Sequence, residues 1–301
     1  MSITNEYKIK ENHAVVIVTY HPNDDVINGI ATAARFVSNL IVVDNTDAPA
    51  LILSKVEHLC KVIYMNENGG IAKALNVGAE YAFNSGCQFV AFFDQDSNIS
   101  QSLIDSLLDV ITGFAIDQKI AVVGPAYFDT RLAKKAPFIT FKQGRLCRVP
   151  AEGDKLIEAD YIITSGSIIS RKSWECIGPH DDSLFIDYVD IEWCLRAKSL
   201  GWRVIGVPYV VMEHTLGDEP INVFGKKLPV HSPIRHYYFF RNCISLLRRD
   251  YIPTGFKVRE LCFLPIRFFV YAFFTKNKLS HITKMSKGLL DGILSKSGPY
   301  L

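Results

Sequence analysis

The chain has 301 residues, about twice the modal domain length, and 49% of them are hydrophobic, which fits one large domain or a domain with an appendage and excludes a disordered chain. Its formal charge of +2 conceals two opposed parts. Residues 1–225 hold 19 Lys and Arg against 28 Asp and Glu, whereas residues 226–301 hold 14 against 3, so an acidic body precedes a basic, aromatic tail.

In chain order, Ala14–Val18, Leu40–Val43, Val62–Tyr64, Phe89–Phe93 and Ala121–Val123 are short apolar runs rich in β-branched residues. Continuous apolar runs suit strands covered on both faces, as in a parallel sheet. Between them, Asp24–Val37, Ala50–His58, Gly70–Asn84 and Ser100–Ile116 read as amphipathic helices. This alternation predicts an α/β fold with a mostly parallel central sheet and flanking helices. Residues 125–165 are irregular; a helix over Val189–Leu200 and a strand over Arg203–Val207 follow, and the pattern turns helical again from Pro233. The expected division is a catalytic domain over 1–232 and a helical C-terminal region over 233–301.

Cys60, Cys87, Cys147, Cys176, Cys194, Cys243 and Cys262 make an odd count without zinc-type spacing, which predicts free thiols in a reducing compartment. MSITNEYKIKENH lacks the apolar core of a secretory leader. The most apolar stretch, Leu261–Phe274, contains Pro265 and Arg267 and would reach roughly 21 Å as a helix, short of the ~30 Å hydrocarbon core. A cytoplasmic protein, or one held peripherally on the cytoplasmic face of the inner membrane, is expected.

Open parallel sheets bind ligands beyond the carboxyl ends of their strands. Four successive strand ends are polar here: Thr19-Tyr20-His21, Asp44-Asn45, Asn66–Gly70 and Asp94-Gln95-Asp96-Ser97. If the segment stays extended, Asp94 and Asp96 point to one side and form an oxygen-only site suited to Mg²⁺ or Mn²⁺. The plainer alternative is a polar turn with Ser97 capping the next helix. Asn68, Gly69 and Gly70 precede a helix whose start offers amides to an anion, or else form a capped turn. Neither the GxGxxG fingerprint nor a Walker A lysine is present. Asp187 and Asp190 lie three apart at a helix start, favoured there by the helix dipole or used as a general base. Glu192 and Arg196 read as an i,i+4 pair worth a few tenths of a kcal/mol. His214 is either structural or a further contact to metal or phosphate.

Taken in order, VVIVTYHP, IVVDN, NENGGIAKALNVG, FFDQDS, ITSGSIISRKSWECIG and LFIDYVDIEWCLRAKSLGW resemble the family 2 glycosyltransferases over about residues 13–242. FFDQDS and RHYYFFRN (Arg235–Asn242) look most like the bacterial rhamnosyltransferase branch. The resemblance implies a GT-A fold, a nucleotide-sugar donor, dTDP-L-rhamnose in that branch, and inversion at the anomeric carbon. It places Thr19 and Tyr20 in the nucleotide pocket, Asp44 on the pyrimidine, and Asn68, Gly69, Gly70 and Lys73 near ribose and diphosphate. Asp94 and Asp96 would be the metal-binding pair, Asp96 the more direct ligand. Asp190 would be the catalytic base, and Arg241 with Asn242 would face the donor diphosphate. Val189 departs from the glutamate usual beside that base. A UDP-sugar donor, such as UDP-galactofuranose or UDP-glucose, and a non-catalytic scaffold subunit of a glycan assembly complex are the alternatives.

The tail combines twelve Phe and Tyr over residues 233–274 with basic residues. It suits an interfacial helix on an anionic membrane surface, with a helical layer on the sheet or a homodimer contact as competing readings. A lipid-linked saccharide acceptor would fit the first. No nucleic-acid recognition signature accompanies the charge, and no nucleic-acid partner is expected.

Overall fold

A computed structural model describes residues 12–114, 118–129, 134–142, 144–214, 221–223, 226–228 and 230–300. The chain begins with β1 (His13–Thr19), α1 (Asp24–Ala33), β2 (Leu40–Asp44), β3 (Lys61–Tyr64), α2 (Gly70–Asn84), β4 (Phe89–Asp94) and α3 (Gln101–Gly113). It continues through β5 (Ile120–Asp129), β6 (Lys134–Lys135), β7 (Phe138–Lys142), β8 (Arg145–Val149), β9 (Ile157–Ala159), β10 (Ile168–Ser170) and α4 (Arg171–Ile177). Last come α5 (Val189–Ser199), β11 (Arg203–His214), β12 (Ile221–Val223), β13 (Lys226–Leu228), α6 (Pro233–Leu247), α7 (Thr254–Phe274) and α8 (Lys278–Ile293).

The central sheet has the order β3-β2-β1-β4-β10-β5-β11-β9, with β6 paired to β5. β3, β2, β1 and β4 run parallel, as do β5 and β11, while β10 is antiparallel to both its neighbours. The apolar runs are covered on both faces as their composition requires. Along β1, Ala14, Val16 and Val18 enter the core under α2, and Val15 and Ile17 enter the core under α1 and α3. β4 divides likewise, with Val90 and Phe92 on one side and Ala91 and Phe93 on the other.

Two expected elements differ. Ala50–His58 forms only a short 3₁₀ turn at Leu51–Lys55, with Leu53 and the capping Val56 buried. β10, which follows the irregular stretch, has no expected counterpart because three residues carry no readable period. The cap of α3 is Ser100, whose hydroxyl accepts from the Leu103 amide at 3.3 Å; Ser97 instead meets the Ser165 hydroxyl at 2.7 Å.

The C-terminal helices share the core of the sheet. Phe240 on α6, Phe256 and Leu264 on α7 and Met285 on α8 belong to one buried cluster with Val16 and Phe92. Small residues let α8 lie against the α6 backbone: a Cβ at Gly288 would stand 2.3 Å from the Tyr237 carbonyl oxygen. All seven cysteines are free thiols. Among the described residues no helix is long and apolar enough to cross a membrane.

Candidate active site

Two adjoining cavities open beyond the carboxyl ends of β1, β2 and β4. One, of about 620 Å³, is walled by Thr19, Tyr20, Asn45, Asp47, Asn68 and Gly70 and closed by Phe185, Tyr238 and Tyr300. The other, of about 430 Å³, is walled by Thr164, Ser165 and the Asp187–Ile191 segment. Ile71, Asp94, Ile186 and Arg235 belong to both, so the two form one cleft with Asp94 and Arg235 at its waist.

The first wall is tied together by the polar residues after the strands. The Asn45 side chain accepts from the Gly69 amide at 2.9 Å and donates to the Asn68 side chain at 3.2 Å. The Asn68 side chain accepts from the Gly70 amide at 3.2 Å, and the Ala72 amide reaches the Phe185 carbonyl. These helix-start amides are therefore engaged within the protein, which corrects the reading of Gly69 and Gly70 as open anion donors. Gly70 has φ +84°, and a Cβ there would stand 2.5 Å from the Phe185 carbonyl oxygen. Only glycine fits that turn.

Asp44 is also corrected. It is buried, and its carboxylate accepts from the Thr46 hydroxyl at 2.6 Å and the Ala50 amide at 2.8 Å. It braces the loop after β2, while Asn45 and Asp47 reach the cavity. Lys73 pairs with Glu67 at the surface, outside both walls.

Asp94 ends β4 inside the cleft. The backbone then turns, with the Ser97 amide donating to the Asp94 carbonyl at 3.1 Å, and Asp96 is left exposed. The extended geometry that would align Asp94 with Asp96 is absent; Gln95 takes the inward place, accepting from the Tyr20 amide at 2.8 Å. Among the described residues no three His, Cys, Asp or Glu side chains gather as a metal cluster. His214 is the last residue of β11, and its side chain lies outside what the structure describes.

Asp190 lies in the second cavity at the start of α5, and the Ile191 amide donates to its carboxylate at 2.8 Å. Burial, with the charges of Asp187 and Asp94 acting in the same direction, pushes its pKa up to about 6. That suits a general base working near neutrality. Val189 beside it is buried in the core.

The segment leading into α5 has an unusual backbone. Phe185, Asp187 and Tyr188 have φ of 64°, 63° and 66°, a left-handed conformation costing of order 1 kcal/mol or more for each non-glycine residue. Arg241 and Asn242 hold it. Arg241 is 1% exposed, and its guanidinium donates to the Ser183 and Leu184 carbonyls at 3.0 and 2.9 Å. Arg241 and Asn242 therefore do not face the cleft, contrary to the expectation that they meet the diphosphate. Among the described residues Arg235, six residues earlier, does face it, and its Nε donates to Asp187 at 3.1 Å. The motif containing it was visible in the sequence, but only the helix phase of α6 separates a cleft arginine from a buried one. Tyr300, by contrast, had no sequence signal.

Residues 14–178 match the family described as glycosyl transferase family 2. The chain belongs to this family. It is 32% identical to the dTDP-rhamnosyl transferase RfbF of Shigella flexneri over 294 residues, covering 96% of this chain and 98% of the relative. It is 22% identical to the low-salt glycan biosynthesis hexosyltransferase Agl10 of Haloferax volcanii, covering 95% and 92%. Among solved structures, TarS 1-349 of S. aureus in complex with UDP-GlcNAc superposes with a TM-score of 0.55 at 17% identity, over 94% of this chain and 81% of that one. GalNAc-T7 with UDP, GalNAc and Mn²⁺ gives a TM-score of 0.55 at 14% identity, over 87% of this chain and 58% of that one. The protein is a family 2 glycosyltransferase with the GT-A fold, and its relationship is to the rhamnosyltransferase-like members.

Proposed function

We propose that the protein transfers L-rhamnose from dTDP-L-rhamnose to a hydroxyl of a saccharide acceptor, lipid-linked in this reading, with inversion at the anomeric carbon. The observation that carries it is the divided cleft: Asp94 and Arg235 at the waist, and Asp190 with its raised pKa in the second cavity. The 620 Å³ cavity takes the nucleotide sugar against Tyr20, Asn45 and Tyr238, and the other takes the acceptor. The choice of rhamnose is supported by the 32% identical dTDP-rhamnosyl transferase.

In the reaction, Asp190 takes the acceptor proton as that oxygen bonds to the anomeric carbon and the bond from that carbon to the diphosphate oxygen breaks. The Arg235 guanidinium faces the charge gathering on the departing diphosphate. The carboxylate of Asp94 at the waist suits a hard divalent cation whose remaining ligands are phosphate oxygens and water. In this reading Asp94 would hold Mg²⁺ or Mn²⁺, which would neutralise diphosphate charge, while Asp96, turned out by the bend after β4, is not brought to it.

Saturation-transfer NMR tests the donor, with dTDP-rhamnose, UDP-glucose, UDP-galactose and UDP-galactofuranose offered in Mg²⁺ or Mn²⁺ and again in EDTA. Selective binding of dTDP-rhamnose, strengthened by the metal, is expected. Binding of a UDP-sugar instead would overturn the choice of rhamnose. Donor binding without turnover in the native protein, for any acceptor saccharide of the host surface polymer, would return the scaffold reading.

A further inference from the structure

The C-terminal helices present a continuous apolar surface that no other part of the described chain covers. On α7, Val258, Leu261, Cys262, Pro265, Ile266, Phe269 and Phe273 are all exposed. At 100° per residue they fall within an arc of about 140°. Leu261, Phe269 and Phe273 are 60%, 61% and 63% exposed, values typical of polar surface positions rather than of large hydrophobes. The arc contains no charge. Beyond its C-terminal end lie Lys276, Lys278 and Leu279, the last 80% exposed.

The opposite side of α7 is occupied. Phe256 and Leu264 enter the core, and Glu260 is buried with Arg259 and Arg267 paired to it. Glu260 also accepts from the Tyr188 hydroxyl at 2.8 Å, and Tyr188 lines the acceptor cavity. The helix is thus anchored to the site by its inner face, while its outer face is bare.

Charge decides the occupant. From residue 261 to 290 there is no Asp or Glu, but there are Arg267, Lys276, Lys278, Lys284 and Lys287. Lys276 and Lys278 make no ion pair among the described residues. A second copy docked face to face would bring two such cationic borders together. An anionic bilayer would pair with them while the aromatic and aliphatic side chains enter its interface.

We propose that the outer face of α7, with the Lys276–Leu279 corner, docks on the surface of a membrane containing anionic lipid. This deepens the lipid-linked acceptor of the preceding reading by naming the surface and the lipid chemistry. Vesicle binding requires neither donor nor acceptor, so its failure and the failure of the transferase reading are separable.

The test is co-flotation of the full chain with phosphatidylcholine vesicles, with and without phosphatidylglycerol, at low and high salt. Binding only to the phosphatidylglycerol vesicles, weakened by salt, is expected. F269S/F273S and K276E/K278E should each weaken that binding by about tenfold or more, since each lysine beside such a surface contributes roughly a fivefold factor. Their far-UV circular dichroism and melting curves should match the native protein, because these side chains are exposed. Absence of vesicle binding would overturn the proposal. So would binding that ignores lipid charge, or a dimer in sedimentation equilibrium that F269S/F273S dissolves.

Discussion

Asn242 holds Asp187 in the cleft by its backbone. The Asn242 amide nitrogen donates to the Asp187 carbonyl at 3.0 Å, and the same group reaches the Leu184 and Ile186 carbonyls at 2.8 and 2.7 Å. One buried side chain thus fixes the stretch in which Phe185, Asp187 and Tyr188 have left-handed backbone. Such a conformation persists only where surrounding bonds outweigh its cost.

Asn242→Asp should therefore damage catalysis more than donor binding. It keeps the shape but turns oxygens toward three carbonyls and removes the Asn242 donor from those of Ile186 and Asp187, while that of Leu184 keeps Arg241. Misplacing Asp187 and Asp190 by about an ångström would lower kcat roughly a hundredfold. Steady-state kinetics beside donor titration checks this; an unchanged kcat would remove the positioning role.

Activity should depend on the ionisation of Asp190. Its carboxyl must be deprotonated to accept a proton, so kcat/KM is expected to rise with pH through about 6 and then level. Asp190→Asn should abolish the rise and nearly all turnover while donor binding survives. The stability effect has the opposite sign. A carboxyl whose folded pKa exceeds its ordinary value favours the fold at low pH, and that contribution is lost as pH rises through about 6. Asp190→Asn should thus stabilise the protein by up to about 3 kcal/mol at pH 8 and by almost nothing at pH 4. Urea unfolding at the two pH values measures the difference.

The two arginines of α6 should separate cleanly. Arg235→Gln removes the cation at the waist of the cleft and should raise the donor KM by roughly ten- to a hundredfold with little change in Tm. Arg241→Gln leaves buried carbonyls of Ser183 and Leu184 short of donors and should lower stability by about 3 kcal/mol. Thermal melts and donor titrations on both variants distinguish these outcomes; equal effects on KM and Tm from each would refute the division.

Glu192 marks a limit of local sequence reading. Four residues from Arg196 on a helix, it reads as a surface pair of small value. In the fold it is fully buried, binds Arg196 through Nε at 2.8 Å, and also receives the Tyr251 hydroxyl and the Arg249 guanidinium. The partner at four residues is legible from helix geometry. Those at 57 and 59 residues are not, because they arrive with α6 and the turn after it.

The sequence by itself determined the alternating strands and helices, the ordered family motifs and the polar strand ends, since each is written in neighbouring residues. The apolar runs of β1 and β4 are covered on both faces as their composition demands. Tertiary structure alone decided which polar residue faces the cleft. Asp44 and Arg241 turn inward to satisfy buried backbone, Asp96 is turned out by a tight bend, and Arg235, Asp187 and Tyr300 supply walls from distant segments. The reason is physical: burial and hydrogen-bond demand depend on what packs around a residue, and for the cleft that means both the bends just after the strands and walls from α6 and the chain beyond α8, more than a hundred residues after β1, β2 and β4.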